Sequence, residues 1–398
     1  MDEINFAENQ RLEDDDRKYI WHPFTPMKEY AREKPIIVER AEGSTLIDIY
    51  GNRYLDGVSS LWVTVHGHHR AEIDNAIREQ LKKVAHSTLL GISNVPATEF
   101  AKKLLHIAPA RLTKLFYSDN GATAMEIALK IAFQYYQNKF GDGNTKTKYI
   151  CFTGGYHGDT VGSMSVSGMD IYNRLFRPLL FHSFKVEYPH CYRCPLKLDY
   201  PGCGLKCIEL LSSMLSAHSK EVVAVVMEPG FQGASGIRVC PPGYVKMVRE
   251  LCDKYNVLLI LDEVATGFGR TGAMFACQLD EVTPDILALA KGISGGYLPL
   301  AATLTTEEIY QGFLGEPHEN LTFCHGHTYT GNPLGCAAAI ASLEIFEKDK
   351  VLEKLPGKIE HLQNRLESLK GLKYVGNIRQ RGMVAGIEMV RDTKTKES

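Results

Sequence analysis

The apolar run Pro284-Asp-Ile-Leu-Ala-Leu-Ala290 ends in Lys291, and Asn256–Leu261 ends in Asp262-Glu263. A third run, Glu221–Met227, ends in Glu228-Pro229. Leu115–Tyr117 ends in Ser118-Asp-Asn-Gly121-Ala122-Thr123-Ala124, and a helical pattern follows at once. Ligands of open α/β sheets bind beyond the carboxyl ends of the strands, so these endings bring an amine, carboxylates and small polar residues to one edge. Each has a plain reading: a solvated lysine, a turn-forming aspartate, an ordinary N-cap. Their combination is more specific. Small residues at a helix start expose N–H groups to an anion, a lysine can form a Schiff base, and an aspartate can hold a ring nitrogen protonated. Pyridoxal 5'-phosphate requires that set.

Two other motifs compete for attention. Gly267-Phe-Gly269-Arg-Thr-Gly272 matches G-x-G-x-x-G after a strand-like run. In a dinucleotide site the first glycine closes the strand-to-helix turn, and an acidic residue follows about 20 positions later. Here Asp262–Thr266 intervenes and Ala273–Leu279 is short for a crossover helix, so a nicotinamide-dependent oxidoreductase is the distant alternative. Arg270 within the loop suits an anion. The second motif is Cys191-x2-Cys194 followed, after eight residues, by Cys203-x3-Cys207. That spacing fits zinc or an iron–sulfur cluster, or a surface loop of reduced thiols. No nearby site feature favours metal, and both readings stay open. The six other cysteines (Cys151, Cys240, Cys252, Cys277, Cys324 and Cys336) are expected to be buried thiols.

The elements that must position these residues follow from hydrophobic period. Leu115–Tyr117, Tyr149–Phe152, Glu221–Met227 and Asn256–Leu261 are continuously apolar, as strands buried on both faces are. Helical spacing marks Glu72–Val84, through Ile73, Ile77, Leu81 and Val84, and also Ala124–Phe140 and Pro242–Tyr255. This alternation predicts an α/β fold with a mainly parallel sheet covered on both faces. Ile36–Glu39, Thr45–Ile49 and Arg53–Asp56, broken by Gly43 and Gly51-Asn52, predict a small antiparallel meander. One long helix is expected from Gly335 to about Lys370, and a strand at Met383–Val390. We therefore expect a large domain over 63–333 and a smaller α+β domain from both chain ends, 1–62 and 334–398.

Composition narrows the class. The chain has 398 residues, 45 basic and 47 acidic, for a net charge of −2, with 44% hydrophobic residues. Near-neutral charge argues against a nucleic-acid or acidic-membrane partner. No apolar run reaches the roughly 20 residues of a membrane span, and charge-dense Met1–Lys18 has no secretory h-region. A cytoplasmic enzyme is expected.

The motifs resemble those of the class III pyridoxal-phosphate aminotransferases, of fold type I. The matching pieces are Ser118–Lys130, Gly155-Tyr-His-Gly158, Leu261–Gly272, Ala290-Lys-Gly292 and Thr328-Tyr-Thr-Gly-Asn-Pro333, in the family's order. The resemblance implies that Lys291 forms the Schiff base and moves the proton, and that Asp262 pairs with the pyridine nitrogen. It implies that Gly121 and Ala122 donate N–H groups to the phosphate and that Tyr156 stacks on the ring. Thr328, with His327 beside it, would reach the phosphate of the neighbouring subunit, which implies a homodimer with shared active sites. Phe24, Leu61, Trp62, Tyr156, Asp159, Arg270, Lys291 and Gly326 would line the substrate pocket.

Within the family, Trp21-His-Pro-Phe-Thr-Pro-Met27, Ser59-Ser-Leu-Trp62 and Gly155–Thr160 resemble the branch that converts 8-amino-7-oxononanoate to 7,8-diaminononanoate in biotin synthesis. The usual donor there is S-adenosylmethionine. Leu61-Trp62, in place of paired tryptophans, and Phe24, in place of tyrosine, resemble relatives that use lysine. A class III enzyme for another ω-amino acid or diamine is the alternative. Members of the family also run on past the counterpart of Ser398, where they finish the small domain and supply an arginine for the substrate carboxylate; a chain without that stretch would bind cofactor yet turn over poorly.

Overall fold

The computed structural model describes residues 6–397; the first five residues and Ser398 of the expected terminal spans lie outside them. A seven-stranded sheet forms the centre: β4 (Leu112–Ser118), β5 (Lys148–Phe152), β6 (Phe184–Val186), β7 (Val222–Met227), β10 (Leu258–Asp262), β11 (Ile286–Leu289) and β12 (Ala301–Thr306). Their spatial order is β4-β12-β11-β10-β7-β5-β6. Neighbours from β11 through β6 are parallel, and β12 alone runs against its two neighbours. Every residue of β7, β11 and β12 is buried, as expected for strands covered on both faces.

The Gly121–Phe140 helix fills one face with Met125, Ile127, Ala128, Ile131 and Tyr135. On the other face, Tyr244, Val245, Val248 and Cys252 of the Tyr244–Tyr255 helix join Phe100 and Leu104 of the Val95–Ile107 helix in one core. The Tyr244–Tyr255 helix stops at Asn256, which adopts φ 50° and bonds back to Asp253, so β10 begins two residues later than the apolar run.

The amino-terminal meander forms as expected: β1 (Val38–Glu42), β2 (Thr45–Asp48) and β3 (Arg53–Leu55) are antiparallel. Other expectations need correction. The helix at Ala71–Leu81 ends before Val84 and leaves Leu81 exposed; Ile73 and Ile77 carry its contact with the Pro333–Lys348 helix. The long carboxy-terminal helix is two, Pro333–Lys348 and Val351–Glu367, parted at Lys350 with φ 50°. Asp349 at that break pairs with Arg70 at 2.9 Å. The strand near 383–390 is β14 (Val384–Met389), one arm of a hairpin whose other arm is β13 (Val375–Arg381); a two-stranded β8 (Phe231–Gln232) and β9 (Arg238–Val239) pair completes the set.

Cys324 is exposed, whereas Cys151, Cys240, Cys252, Cys277 and Cys336 are buried. Cys191, Cys194, Cys203 and Cys207 are free thiols lining one void of about 20 Å³. Among the described residues, no three His, Cys, Asp or Glu side chains are arranged to hold a metal ion, and no helix is long and apolar enough to cross a membrane.

Candidate active site

Five strands sharing one direction end at the same sheet edge, around a cavity of about 710 Å³. Asp119–Ala122 follow β4, Tyr156–Thr160 follow β5, and Glu228 follows β7. Asp262 closes β10 and Lys291 comes just after β11. Leu298-Pro-Leu300 before β12 and Leu61–Val63 complete the wall. The Gly267–Gly272 loop is elsewhere: Gly269 packs on Phe346, Leu352 and Leu355, and only a short 3-10 turn, Ala276–Asp280, follows it. It is a packing loop, not a nucleotide cradle.

Lys291 has φ 45° and opens a 3-10 turn to Ser294. Its Nζ lies 4.8 Å from the centre of the Trp62 ring. Burial lowers its pKa below the ordinary amine value, against the opposing charges of Asp262 and Glu228. A lowered pKa enlarges the neutral fraction, the form that attacks a carbonyl.

Asp262 is buried and fully engaged on the protein side. Its Oδ1 accepts the Val264 N–H at 3.0 Å, and its Oδ2 lies 2.7 Å from His157 Nδ1. Burial of His157 opposes a charged ring, but the bond to Asp262 and its charge outweigh that and raise the imidazole pKa. Beside them Glu228 accepts N–H groups from Tyr156 at 3.1 Å and Gly233 at 3.0 Å. Burial, with Asp262 nearby and His157 opposing, leaves its pKa pushed up to about 7.

The Gly121–Phe140 helix starts in this cavity with a reciprocal cap. Asn120 accepts from the Thr123 N–H at 3.0 Å, and Thr123 Oγ1 accepts from the Asn120 N–H at 3.1 Å. Ala124 begins the backbone ladder on the Asn120 carbonyl. The N–H groups of Gly121 and Ala122 therefore have no acceptor within the helix, and both residues line the cavity. A Cβ on Gly121 would sit 2.5 Å from Val264 Cγ1, so the start of the helix packs closely there. Unused N–H groups at a helix start suit a phosphate, Asp262 suits a ring nitrogen and Lys291 an aldehyde. These donors fit pyridoxal phosphate.

Tyr156 lines the cavity and donates its hydroxyl to Asp159 at 2.7 Å. The opposite wall is unusual. Ser59, Ser60, Leu61 and Trp62 all have positive φ, from 47° to 69°, forming one left-handed turn without glycine. Left-handed backbone costs about 1–2 kcal/mol per ordinary residue. Trp62 meets Phe231 edge-on at 6.4 Å, and Gly233 gives it room, since a Cβ there would stand 2.5 Å from its ring.

The cavity thus collects Gly121, Ala122, Tyr156, Asp159, Asp262, Lys291, Leu61 and Trp62 of the expected residues. Five others are not in its lining. Arg270 lies behind Trp62, donating to its carbonyl at 3.2 Å. Phe24 is exposed and meets Tyr172 edge-on, and Tyr172 meets Tyr156 likewise. His327 Nδ1 is 2.9 Å from Asp119 Oδ2, while Gly326 and Thr328 are exposed. Sequence reasoning assigned no role to His157 or Gly233. His157 was visible only as the imidazole inside Gly155-Tyr-His-Gly158, and Gly233 had no local signal.

Comparison with known proteins agrees with this chemistry. The sequence model of one family, Aminotransferase class-III, matches residues 27–398. The chain is 52% identical over 391 residues to the adenosylmethionine-8-amino-7-oxononanoate aminotransferase of Geobacter sulfurreducens, covering 98% of this chain and 86% of that one. The crystal structure of the enzyme of that name from Methanocaldococcus jannaschii superposes with a TM-score of 0.90 at 50% identity, over 98% of this chain and 86% of the other. An amine transaminase from an uncultivated Pseudomonas species, solved in a PLP-bound form, gives 0.88 at 35% identity, over 95% and 86%. A match running through both the strand-end site and the elements around it shows that this chain belongs to the class III aminotransferases, which depend on pyridoxal phosphate.

Proposed function

We propose that the enzyme aminates the ketone of 8-amino-7-oxononanoate, giving 7,8-diaminononanoate in biotin biosynthesis. The observation that carries this is identity of about half over nearly the whole chain to aminotransferases named for that substrate. The donor is S-adenosylmethionine, with lysine as the second candidate that Leu61-Trp62 and Phe24 favour. The work is done in the cytoplasm.

Pyridoxal phosphate, when bound, supplies an aldehyde that captures amines and a ring that withdraws electrons from the neighbouring carbon. Lys291 Nζ would hold the group through its aldehyde carbon and, once freed by the incoming amine, would move a proton between the substrate carbon bearing the nitrogen and that aldehyde carbon. Its lowered pKa enlarges the neutral fraction that can accept a proton. Asp262, held in place by His157, would hold the proton on the ring nitrogen. The N–H groups of Gly121 and Ala122 would hold the phosphate. Tyr156 would cover the ring, and Leu61 and Trp62 would form the apolar wall for the substrate's carbon chain. Donor and acceptor use this pocket in turn, so the kinetics are ping-pong. Thr328, exposed and outside the cavity of its own chain, would reach the phosphate in the neighbouring subunit of a homodimer, with His327 beside it.

The test is to reconstitute the chain with pyridoxal phosphate and add 7,8-diaminononanoate. Loss of absorbance near roughly 420 nm, with a gain near roughly 330 nm, is the expected reverse half-reaction. Indifference to the diamine, with a response to simple amines, would instead favour a broader amine transaminase. S-adenosylmethionine and lysine are then compared as donors by the same change.

A further inference from the structure

The left-handed turn at Ser59–Trp62 has an identifiable brace. Backbone of this kind persists only where its surroundings over-determine it, and the surroundings here converge on Asp56. Its Oδ1 accepts the Ser60 N–H at 2.8 Å, and its Oδ2 accepts the Ser60 hydroxyl at 2.8 Å. The same Oδ2 lies 2.8 Å from His68 Nε2, and the Asp56 side chain is 4% exposed. Both members are anchored to the amino-terminal meander: the Asp56 N–H donates to Ser44, and the His68 N–H donates to Gly43. At the far end of the turn, Arg270 holds the Trp62 carbonyl.

We propose that Asp56 is a positioning residue for amino-group transfer: through Ser60 it holds the left-handed turn that sets Trp62 over Lys291. The carboxylate is outside the cavity lining and acts through the tryptophan, so it governs which carbon chains the pocket accepts. This deepens the reading of Trp62 as a substrate-facing wall and rests on it.

The chain has two tryptophans, so in a Trp21→Phe background the emission of the holoenzyme reports Trp62. Asp56→Ala is expected to shift that emission to the red and to raise KM for the diamine by about 10-fold, with kcat changed by less than about 3-fold. Adding Ser60→Gly should recover much of both changes, because glycine takes positive φ without a brace. A merely structural aspartate would lower the folded fraction and leave the emission and KM of the folded enzyme at parental values. That result, or absence of any recovery with Ser60→Gly, overturns the proposal. If Asp56→Ala does not fold, Asp56→Asn, which keeps one acceptor for the Ser60 N–H, is judged by the same criteria. A parent enzyme that ignores the diamine refutes the substrate assignment alone; the Trp62 emission and its recovery then decide the role of Asp56.

Discussion

His157 Nδ1 and Asp262 Oδ2 lie 2.7 Å apart with both side chains buried, although 105 positions separate them in the chain. The pair acts as a unit. Removing one member strands the other in a dry site, a change that costs about 3–5 kcal/mol. Asp262→Asn should therefore weaken folding by about 3 kcal/mol in urea denaturation and lower turnover by at least about 100-fold. Combining it with His157→Asn should cost less than the sum of the two, because the contact can be lost only once. Additive losses would show that the two residues act separately.

Lys291→Ala isolates the chemistry. Turnover should fall by at least about 1,000-fold in steady-state assays, since among the described residues Lys291 supplies the one amine in the cavity lining. Folding stability should be unchanged or higher, because a buried ammonium is costly to desolvate. Multiple turnovers at the parental rate would exclude Lys291 as the reacting amine.

Gly121→Ala tests the phosphate cradle. The added methyl would stand 2.5 Å from Val264 Cγ1, and overpacking of this kind costs about 1–3 kcal/mol. Because the strain falls on the helix start, cofactor retention should suffer, with roughly a 10-fold higher Kd by equilibrium dialysis. Unchanged retention would place the phosphate elsewhere.

His66 predicts an acid sensitivity outside the site. Its Nε2 lies 3.0 Å from Ser342 Oγ, and its ring meets Phe346 edge-on. Burial, helped by the charge of Arg70, lowers its pKa to about 4. The unfolded chain binds this proton more tightly, so stability is full above the ordinary histidine value and falls as pH drops from 6.5 toward 4. Between pH 7 and 5 the loss is about 2 kcal/mol. Urea midpoints at the two values should show it in the parent, and His66→Gln should remove that part of the slope.

Much of the site was legible because its residues end apolar runs. Lys291, Asp262 and Gly121–Ala122 are named by type and by the strand each follows, and a strand's end is a local property. β12 was not legible: Ala-Ala-Thr-Leu-Thr-Thr is half threonine, and its burial depends on partners far away. Thr303 donates to the Ala124 carbonyl at 2.8 Å and Thr305 to Asp285 at 3.2 Å. Arg270 sits five residues after the cavity-lining Ala265, yet its side chain turns to the Trp62 carbonyl; the left-handed turn and the packing of Trp62 against Gly233 and Phe231 put that carbonyl there.

What the sequence by itself determined is what short range controls: which segments are buried strands, which are helices, where a helix start leaves N–H groups unused, and which reactive residue each strand delivers. The tertiary structure decided which strands are neighbours and which way each runs. Reversing β12 between β11 and β4 brings Leu298–Leu300 to the same edge as Lys291 and Asp119–Ala122. It also decided that a carboxylate after β3 would brace a left-handed turn and that His157 would meet Asp262. These pairings join residues distant in the chain, so their energies appear only once the sheet and helices have packed, and no local pattern records them.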